Sequence, residues 1–359
     1  MATLVTVACG GGGTSTQSSS SSPSAQDQEI YKSIQKVMPG VSIDLVSAAC
    51  KEGALDYFQL AVTPSTTVID DTFQKLVPCV NLNATQAAGG QLLQRFNAAK
   101  NTGASPDILE ISQEGAMVQF SKNGDFLKYT PSEAKNIDTP TPGYYYPDYG
   151  FLMGFAYNSQ SISDSTAKSL TSWQSIQDPQ FSKAKIGFVS PAAGGTALLS
   201  FYHMVHVYGK DFVKQLFATH KITVFSTSRP AADAVASGQL DIAFPMANTT
   251  TVELWSKGAP VHQVQPAPLD EAYTGLAIPK NAQHPNAAKL FEEFVLSPTG
   301  QAVFDVQNGA IPANKSVKST NKIVHESWWA VPSSSYEYDA PAIDSESKAL
   351  LDFFDQIST

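Results

Sequence analysis

The regular alternation of short apolar segments with helical segments constrains the fold of this chain most strongly. Eight apolar segments have the length of a strand, and most are continuous apolar runs: DYFQLAV, CVNLNA, DILEIS, GFLMGFAYN, KIGFVS, ITVFS, LDIAFPM and EAYTGLAIP. Helical patterns lie among them: GGQLLQRFNAAKNTG, GTALLSFYHMVHVYG, KDFVKQLFATH, PAADAVASG and HPNAAKLFEEFVLSPTGQAVF. Continuous apolar strands that alternate with helices predict an α/β protein whose mainly parallel sheets are covered by helices on both faces.

The composition excludes several other classes of protein. Hydrophobic residues make up 42% of the 359 residues and charged residues only 15%, which supports a sizeable core. The formal net charge is −9 and no basic stripe is present, so we expect no nucleic-acid partner. No apolar stretch reaches the roughly 18 to 20 residues that a membrane-spanning helix needs.

The first 27 residues differ from the rest of the chain. A short apolar run ends at Ala8 and Cys9, and a tract of glycine and serine follows, which predicts a flexible tether without a core. The placement of Cys9 resembles a bacterial lipoprotein signal, in which the cysteine is lipidated, although only eight residues precede it and none of them is basic. We therefore expect a lipid anchor at Cys9 and a location in the periplasm or at the cell surface. The alternative is a chance cysteine in a disordered tail.

Two further cysteines, Cys50 and Cys79, remain after Cys9. Cys50 ends a helical pattern and Cys79 precedes a predicted strand, so both lie at the same end of one β–α unit. In an exported protein an even number of remaining cysteines predicts a disulfide bond. The alternative is a pair of buried thiols.

Candidate binding residues follow the predicted strands, because ligands of parallel sheets sit outside the carboxyl ends of the strands. These positions are mostly small or polar, and they include no pair of nucleophile and base. They are Thr63, Ser65, Thr66, Thr85, Gln86, Ser112, Gln113, Ala193, Gly194, Gly195, Thr196, Ser226, Thr227, Ser228, Arg229, Asn248 and Thr249. Two tyrosines, Tyr149 and Tyr273, complete the set of predicted ligand contacts.

The segment SPAAGGTALL, residues 190–199, is a candidate anion site. Its glycine pair precedes an apolar helical run, and the first N–H groups of a helix have no internal partner and lie at its positive end. The alternative is a tight loop before a buried helix.

Three longer segments carry a family resemblance: SWQSIQDPQFSKAKIGFVSPAAGGTALL, VFSTSRPAADAVASGQLDIAFPM and KNAQHPNAAKLFEEFVLSPTGQAVF. They resemble the type II periplasmic solute-binding proteins of ABC importers, in the subgroup of ferric-iron, phosphonate, polyamine and thiamine binders. The resemblance covers residues 45–312. It implies two α/β lobes joined by crossover strands, a ligand cleft between the lobes and closure by a hinge motion. We expect one lobe from 28–150 and 270–305, and another from 151–269 and 306–359.

The resemblance implies that Ala193–Thr196 hold an anionic group, as the matching segment of ferric binders does. It also implies positions for iron ligands, but this chain departs from them. Asn248 and Thr249 stand where ferric binders have adjacent tyrosines, and Ser112 and Gln113 stand where they have a carboxylate. Ferric iron prefers anionic oxygen ligands. The tyrosines of GYYYPDYG precede the crossover strand, and we interpret them as hinge packing or an aromatic wall.

These observations predict the binding subunit of an ABC importer, which captures a small organic anion and delivers it to a membrane permease. Arg229 is either a surface residue or a fork that grips a carboxylate, phosphonate or sulfonate. We expect a monomer that needs no cofactor. The alternatives are a binder of ferric iron or a metal complex, an enzyme on the same bilobal fold, and a structural lipoprotein. His203 and His206 lie three residues apart on one helix, but no carboxylate joins them locally.

Overall fold

A computed structural model describes residues 22–60 and 65–358, except for the side chain of Ser65. The helices are, in chain order, Ala25–Ile34 (α1), Ile43–Glu52 (α2), Ser65–Leu76 (α3), Gly89–Ala99 (α4), Glu114–Asn123 (α5), Asp164–Ala167 (α6), Gly195–Thr219 (α7), Ser228–Ala236 (α8), Asn248–Ser256 (α9), Pro285–Leu296 (α10), Pro298–Asn308 (α11) and Ala340–Ile357 (α12). The strands are Ala54–Leu60 (β1), Asn81–Ala87 (β2), Ile108–Ile111 (β3), Tyr146–Asn158 (β4), Ile186–Val189 (β5), Ile222–Phe225 (β6), Ile242–Ala247 (β7), Val261–Val264 (β8), Asp270–Ala277 (β9) and Ile311–Pro312 (β10).

The ten strands in the described part of the chain belong to one sheet, in the order β2-β1-β3-β9-β4-β7-β5-β6, with β8 and β10 also paired to β4. The first flank (β2, β1 and β3) and the second flank (β7, β5 and β6) are each parallel. The two central strands, β9 and β4, run antiparallel to each other and to the flanks beside them. The α/β class is therefore confirmed, and the antiparallel pairing is confined to the strands that join the two flanks.

The eight predicted strands correspond to β1 to β7 and β9. The missed strands, β8 and β10, are short and pair only with β4. The predicted break between two helices at Gly209 is present inside α7, where Gly209 has φ 85° and ψ 159°. Asn248 and Thr249, which stand where ferric binders have adjacent tyrosines, are the first two residues of helix α9.

Helices cover both faces of the sheet, and aromatic side chains fill the space between them. In the second flank, Phe188 of β5 is stacked with Phe354 of α12 at 5.7 Å between ring centres. In the first flank, Phe73 of α3 meets Phe291 of α10 edge to face at 5.0 Å. All four of these rings are buried. Burial of such large rings supplies much of the apolar driving force for folding.

Cys50 and Cys79 form a disulfide bond in the structure, as predicted. Helix α2 begins after Ser42, whose side chain accepts a hydrogen bond from the Leu45 N–H, and it ends at Gly53 in the left-handed conformation. Cys50 therefore lies just before β1, and Cys79 lies just before β2, the strand paired with it. The two Cα atoms are 5.0 Å apart, within the normal range for a disulfide.

The antiparallel centre separates the chain into two parallel flanks, and the exact lobe boundaries stay a prediction. Helix α12 packs against α5, beside the first flank, and against α7, beside the second. None of the helices in residues 22–60 and 65–358 combines the length and apolarity needed to cross a membrane.

Candidate functional site

A cavity of about 460 Å³ lies where α5, β9, α7 and α12 come together. Its walls combine residues from both flanks with residues of the C-terminal segment. They are Ser112, Gln113, Glu114, Gly115, Met117, Asp138, Thr139, Pro140, Tyr145, Pro147, Gly195, Leu198, Leu199, Glu271, Ala272, Tyr273, Thr274, Gly275, Pro312, Ala313, Lys315, Tyr338, Ala340, Ile343 and Asp344. Its size and its position between the flanks make it the first candidate for a ligand site.

The glycine pair at the start of α7 lies beside this cavity, and Gly195 lines it. Gly194 and Gly195 both have positive φ, 75° and 50°, a region that glycine adopts without steric cost. A Cβ atom built on Gly195 would lie only 2.3 Å from Ser112 Oγ. The pair therefore allows the start of α7 to approach α5 closely.

Ala193 and Gly194 do not offer their N–H groups to a ligand, which corrects part of the prediction. The Ala193 N–H donates to the Ser190 carbonyl at 3.0 Å, and the Gly194 N–H donates to the Pro191 carbonyl at 2.9 Å. Both bonds close the short 3-10 turn Pro191–Ala193. The predicted donors that remain are Gly195 and Thr196, the first two residues of α7.

Three helix starts meet around the side chain of Gln113. A Cβ on Gly89, at the start of α4, would lie 2.9 Å from Gln113 Oε1, and one on Gly194 would lie 3.3 Å from Gln113 Nε2. Gln113 itself is the residue before α5. Helices α4, α5 and α7 all lack a hydrogen bond from a capping side chain. Gln113 Oε1 is buried without a hydrogen-bond partner in the described part of the chain.

This convergence places uncapped N–H groups and the positive ends of three helices in one small region, which favours an anionic group. The structure brings together four of the predicted site residues, Ser112, Gln113, Gly194 and Gly195. It adds Gly89 and Gly90, which were not predicted. The signal was present, because GG follows β2 as it follows β5 in the segment already selected.

Arg229 does not line the cavity. Its guanidinium group donates to Asp233 at 3.0 Å and to Glu253 at 3.2 Å, and the side chain is 46% exposed. Its neighbour Ser228 begins α8 and also lies outside the cavity walls. The predicted grip of Arg229 on the ligand therefore has no geometric basis, because its donors are already directed at two carboxylates of the same flank.

Two other predicted contacts are structural residues. Tyr149 is fully buried and stacked on Phe304 at 4.2 Å. Asn248 is also fully buried; its side-chain oxygen accepts from the Leu152 N–H at 2.8 Å, and its NH₂ group donates to the Gly309 carbonyl. Both side chains are fixed within the core, so neither contacts the cavity.

Of the predicted residues near β1, Thr66 is buried in α3, outside the cavity walls. Gln86 Nε2 approaches Thr66 Oγ1 at 3.5 Å and donates to Gln59 Oε1 at 2.8 Å. Thr63, Cys9 and the Ser65 side chain lie outside the described residues.

Three tyrosines line the cavity: Tyr145, Tyr273 and Tyr338. Of these, Tyr145 belongs to the segment GYYYPDYG, for which an aromatic wall was one of the two interpretations. Tyr145 is 2% exposed and lines the cavity, and its hydroxyl lies beside the Glu114 carboxylate without a hydrogen bond of full geometry among the described residues. Burial and the nearby Glu114 carboxylate raise the pKa of the Tyr145 phenol. Tyr273, a predicted contact, also lines the cavity and donates to Glu271 at 2.6 Å. Burial and Glu271 likewise raise the pKa of Tyr273, so both phenols stay protonated donors at neutral pH.

The cavity is acidic, which the sequence analysis did not anticipate. Four carboxylates line it, those of Glu114, Asp138, Glu271 and Asp344, against one basic residue, Lys315. Lys315 forms a salt bridge with Asp138. Within the described residues none of the other three carboxylates forms a salt bridge, so the field in the cavity is negative away from the helix starts.

Buried carboxyl groups lie beneath one wall. Thr274, which lines the cavity, donates from its hydroxyl to Asp148, and Tyr57 donates to Glu110. Burial raises the pKa of Asp148 to about 7. Burial and the charge of Asp148 raise the pKa of Glu110 well above its usual range. These groups support the central strands and do not reach the cavity surface.

His203 and His206 attach the C-terminal segment to α7. His203 is fully buried, is paired through Nδ1 with Asp270 and is stacked on Tyr336 at 4.1 Å. His206 Nε2 lies 2.8 Å from Glu346 of α12. Both rings therefore have structural partners far apart in sequence, which explains why no local carboxylate accompanies them.

One group of potential metal ligands occurs in the described residues, and it lies away from the cavity. Asp56, Asp107 and His284 have ligand atoms within 4.8 Å of one another. Asp107 already accepts from the N–H groups of Asp56 and His284 and contacts His284 Nδ1 at 2.7 Å. These residues lie near the amino ends of β1 and β3, opposite the edge that carries Ser112.

The family of bacterial extracellular solute-binding proteins matches residues 61–309, more than half of the chain. This chain belongs to that family. An uncharacterized protein of Haemophilus influenzae is 26% identical to this solute-binding protein over 187 residues. The match covers 48% of this chain and 53% of that protein, so the solute-binding protein spans about half the length of this curated relative.

Solved structures share the fold of this solute-binding protein. The periplasmic binding protein P5PA has a TM-score of 0.69 at 21% identity, with 86% of this chain and 100% of that chain covered. Iron-bound HitA from Pseudomonas aeruginosa has a TM-score of 0.69 at 19% identity, with 85% and 99% covered. AfuA from Actinobacillus pleuropneumoniae, with fructose-6-phosphate bound, has a TM-score of 0.69 at 20% identity, with 85% and 98% covered. At these identities the likeness establishes the bilobal fold and leaves the ligand open.

Proposed function

We propose that this solute-binding protein captures a small organic anion in the cavity between its flanks, for an ABC importer. The observation that carries the proposal is the meeting of three uncapped helix starts around Gln113. Ser112 Oγ, the Gln113 amide and the N–H groups of Gly195 and Thr196 would hold the anionic group. A phosphonate, carboxylate or sulfonate fits such a donor set, because backbone N–H groups at helix starts bind oxyanions without needing an arginine.

AfuA, a structural neighbour, holds a sugar phosphate, which is consistent with an anionic group on the ligand. Proteins of this class pass their ligand to a membrane permease, and we infer that this protein does so too. We also infer that it acts as a monomer. The closing of the two flanks over the ligand would supply the signal for the permease, since hinge closure changes the surface presented by both flanks.

Native mass spectrometry of the protein purified from its own host tests the proposal. We expect a bound small molecule that carries at least one acidic group and is released on denaturation. A bound molecule without an acidic group would contradict the proposal. Incubation of the released ligand with fresh protein tests the enzyme alternative, because a binding protein returns its ligand unchanged.

The second candidate function is the binding of ferric iron or a metal complex. The phenols of Tyr145, Tyr273 and Tyr338 and the cavity carboxylates are hard oxygen donors, which ferric iron prefers. Against it, the cavity carboxylates are not among the groups of ligand atoms that converge within 4.8 Å in the described residues. We expect the protein to stay colourless with ferric citrate. A visible charge-transfer band that is lost in Tyr145→Phe would favour iron.

We also propose that Cys9 carries a lipid that anchors the protein to a bacterial membrane. The support is the apolar run before Cys9 and the glycine- and serine-rich tether after it. Metabolic labelling with a fatty acid should mark the wild type and not Cys9→Ser, whereas label on both proteins would contradict the anchor.

A further inference from the structure

The acidic wall of the cavity has a feature that an anion site does not explain. Glu114, Glu271 and Asp344 contribute three carboxylates without a salt bridge among the described residues. The Asp344 carboxylate lies so close to α5 that a Cβ on Gly115 would meet Oδ2 at 2.1 Å. A purely anionic ligand would be repelled from this wall, at a cost that low local polarity increases.

The hydroxyl of Tyr145 is a second, independent observation at the same wall. The Tyr145 side chain is buried in the cavity wall, and among the described residues its hydroxyl has a loose contact with the Glu114 carboxylate and no hydrogen bond of full geometry. A buried hydroxyl without a well-formed hydrogen bond is costly and rare in a native protein. A ligand group that donates hydrogen bonds to both Tyr145 and Glu114 would satisfy both of them.

The oxygen atoms of this wall are dispersed, and their spacing indicates which kind of cation the wall could bind. A bare metal ion needs several oxygen ligands that converge within a few ångströms, and among the described residues no three of the cavity carboxylates have ligand atoms within 4.8 Å of one another. An ammonium group has several donors that point in different directions, and aromatic faces also attract it. The rings of Tyr145, Tyr273 and Tyr338 supply such faces.

We propose that the ligand is a zwitterion, with its anionic group at the helix starts around Gln113 and an ammonium group between the Tyr145 hydroxyl and the Glu114 carboxylate. The proposal rests on the anion function proposed above and adds a second subsite to it. The two subsites adjoin, because Gln113 and Glu114 are consecutive residues at the start of α5. The ligand therefore carries its two charges a few bonds apart.

Calorimetry with three matched series of probes tests the second subsite: aminoalkylphosphonates, alkylphosphonates without the amino group, and alkylamines without the phosphonate, each over increasing chain length. We expect the best aminoalkylphosphonate to bind at least about tenfold more tightly than the alkylphosphonate of equal length, since hydrogen bonds to charged groups are strong. Glu114→Gln should weaken aminoalkylphosphonate binding by about ten- to a hundredfold and leave alkylphosphonate binding unchanged or stronger.

Asp138→Asn is the matched control, because it also removes one negative charge from the cavity. The Asp138 carboxylate is already paired with Lys315, so its removal should not affect an ammonium group at Glu114. Tyr145→Phe keeps the ring and removes the hydroxyl, so it should weaken only the aminoalkylphosphonate.

Each pattern of results decides one proposal. Equal affinity for aminoalkylphosphonate and alkylphosphonate would overturn the ammonium subsite and leave the anion function standing. Binding of alkylamines as tight as that of aminoalkylphosphonates, with none of alkylphosphonates, would overturn the anion function and leave the ammonium subsite. An equal loss in Glu114→Gln and Asp138→Asn would assign the effect to overall charge and overturn the subsite. No binding of any probe at millimolar concentration would overturn both.

Discussion

Helices α7 and α8 both follow parallel strands of the second flank, and both begin with residues that suit an anion, yet only α7 begins at the cavity. Strand β5, before α7, is an inner strand, whereas β6, before α8, is the edge of the sheet. The start of α7 faces Ser112 of the first flank, while Arg229 at the start of α8 is paired with Asp233 and Glu253 of its own flank. The position of a strand in the sheet, more than the residues that follow it, decides which strand end reaches the cavity.

The largest expected effect comes from the start of α7. In Gly195→Val the new side chain would collide with Ser112 Oγ and would require an unfavourable backbone conformation at φ 50°. We expect the variant to bind the wild type's best alkylphosphonate at least about a hundredfold more weakly, because the collision pushes the start of α7 away from Ser112 and misaligns the donors of the site. The backbone strain at φ 50° lowers the stability of the fold instead. Calorimetry measures the loss.

Gly209→Val is the control for this variant. Gly209 also has positive φ, at 85°, and lies in α7, but a Cβ there would have no neighbour within 4 Å. It should lose stability through strain and keep its affinity. Equal losses of affinity in both variants would assign the effect of Gly195→Val to strain in α7.

The second effect compares two serines, Ser112 before α5 and Ser228 at the start of α8. Ser112→Ala removes a hydroxyl that lies against Gly195 at the cavity, so the affinity for the alkylphosphonate should fall about tenfold. Ser228→Ala should leave the affinity unchanged, because Ser228 is not a cavity residue. Titration of both variants with the same probe checks this, and a loss in Ser228→Ala would contradict the difference between α7 and α8.

The features that the sequence could predict are those encoded locally. Apolar runs predicted the main strands, and the glycine pair predicted a helix start, which lies at the candidate cavity. The strand order is set by contacts between distant segments, so Arg229 after an edge strand looked equivalent to Gly195 after an inner one. The acidic wall has the same origin, because Glu114, Glu271 and Asp344 come from three distant segments. Helix α12 was not predicted, although the spacing of its buried residues Ile343, Leu350, Phe353 and Phe354 is a local signal for a helix.

A smaller effect distinguishes the two glycines of the pair. A Cβ on Gly194 would lie 3.3 Å from Gln113 Nε2, the flexible end of a side chain that can shift. Gly194→Ala should therefore weaken binding of the alkylphosphonate only several-fold, through the small displacement of the Gln113 amide, while backbone strain at φ 75° lowers the stability of the fold. Titration beside Gly195→Ala measures the difference. A larger loss in Gly194→Ala than in Gly195→Ala would mean that the ligand lies closer to Gly194 than the cavity walls indicate.

The smallest effect is expected for Arg229→Ala, which decides between the sequence prediction and the geometry. A guanidinium that grips the ligand would cost ten- to a hundredfold in affinity when removed. We instead expect the affinity for the alkylphosphonate to stay within about a factor of two, because Arg229 is directed at Asp233 and Glu253. Stability should fall by less than about 1 kcal/mol, since the arginine is half exposed and solvent screens its ion pairs. The largely buried Glu253 also keeps Lys257 as a partner at 2.6 Å. Thermal melting and calorimetry measure the two quantities on one sample. A tenfold loss of affinity with unchanged melting would mean that Arg229 leaves its carboxylates to reach the ligand, and that α8 contributes to the site after all.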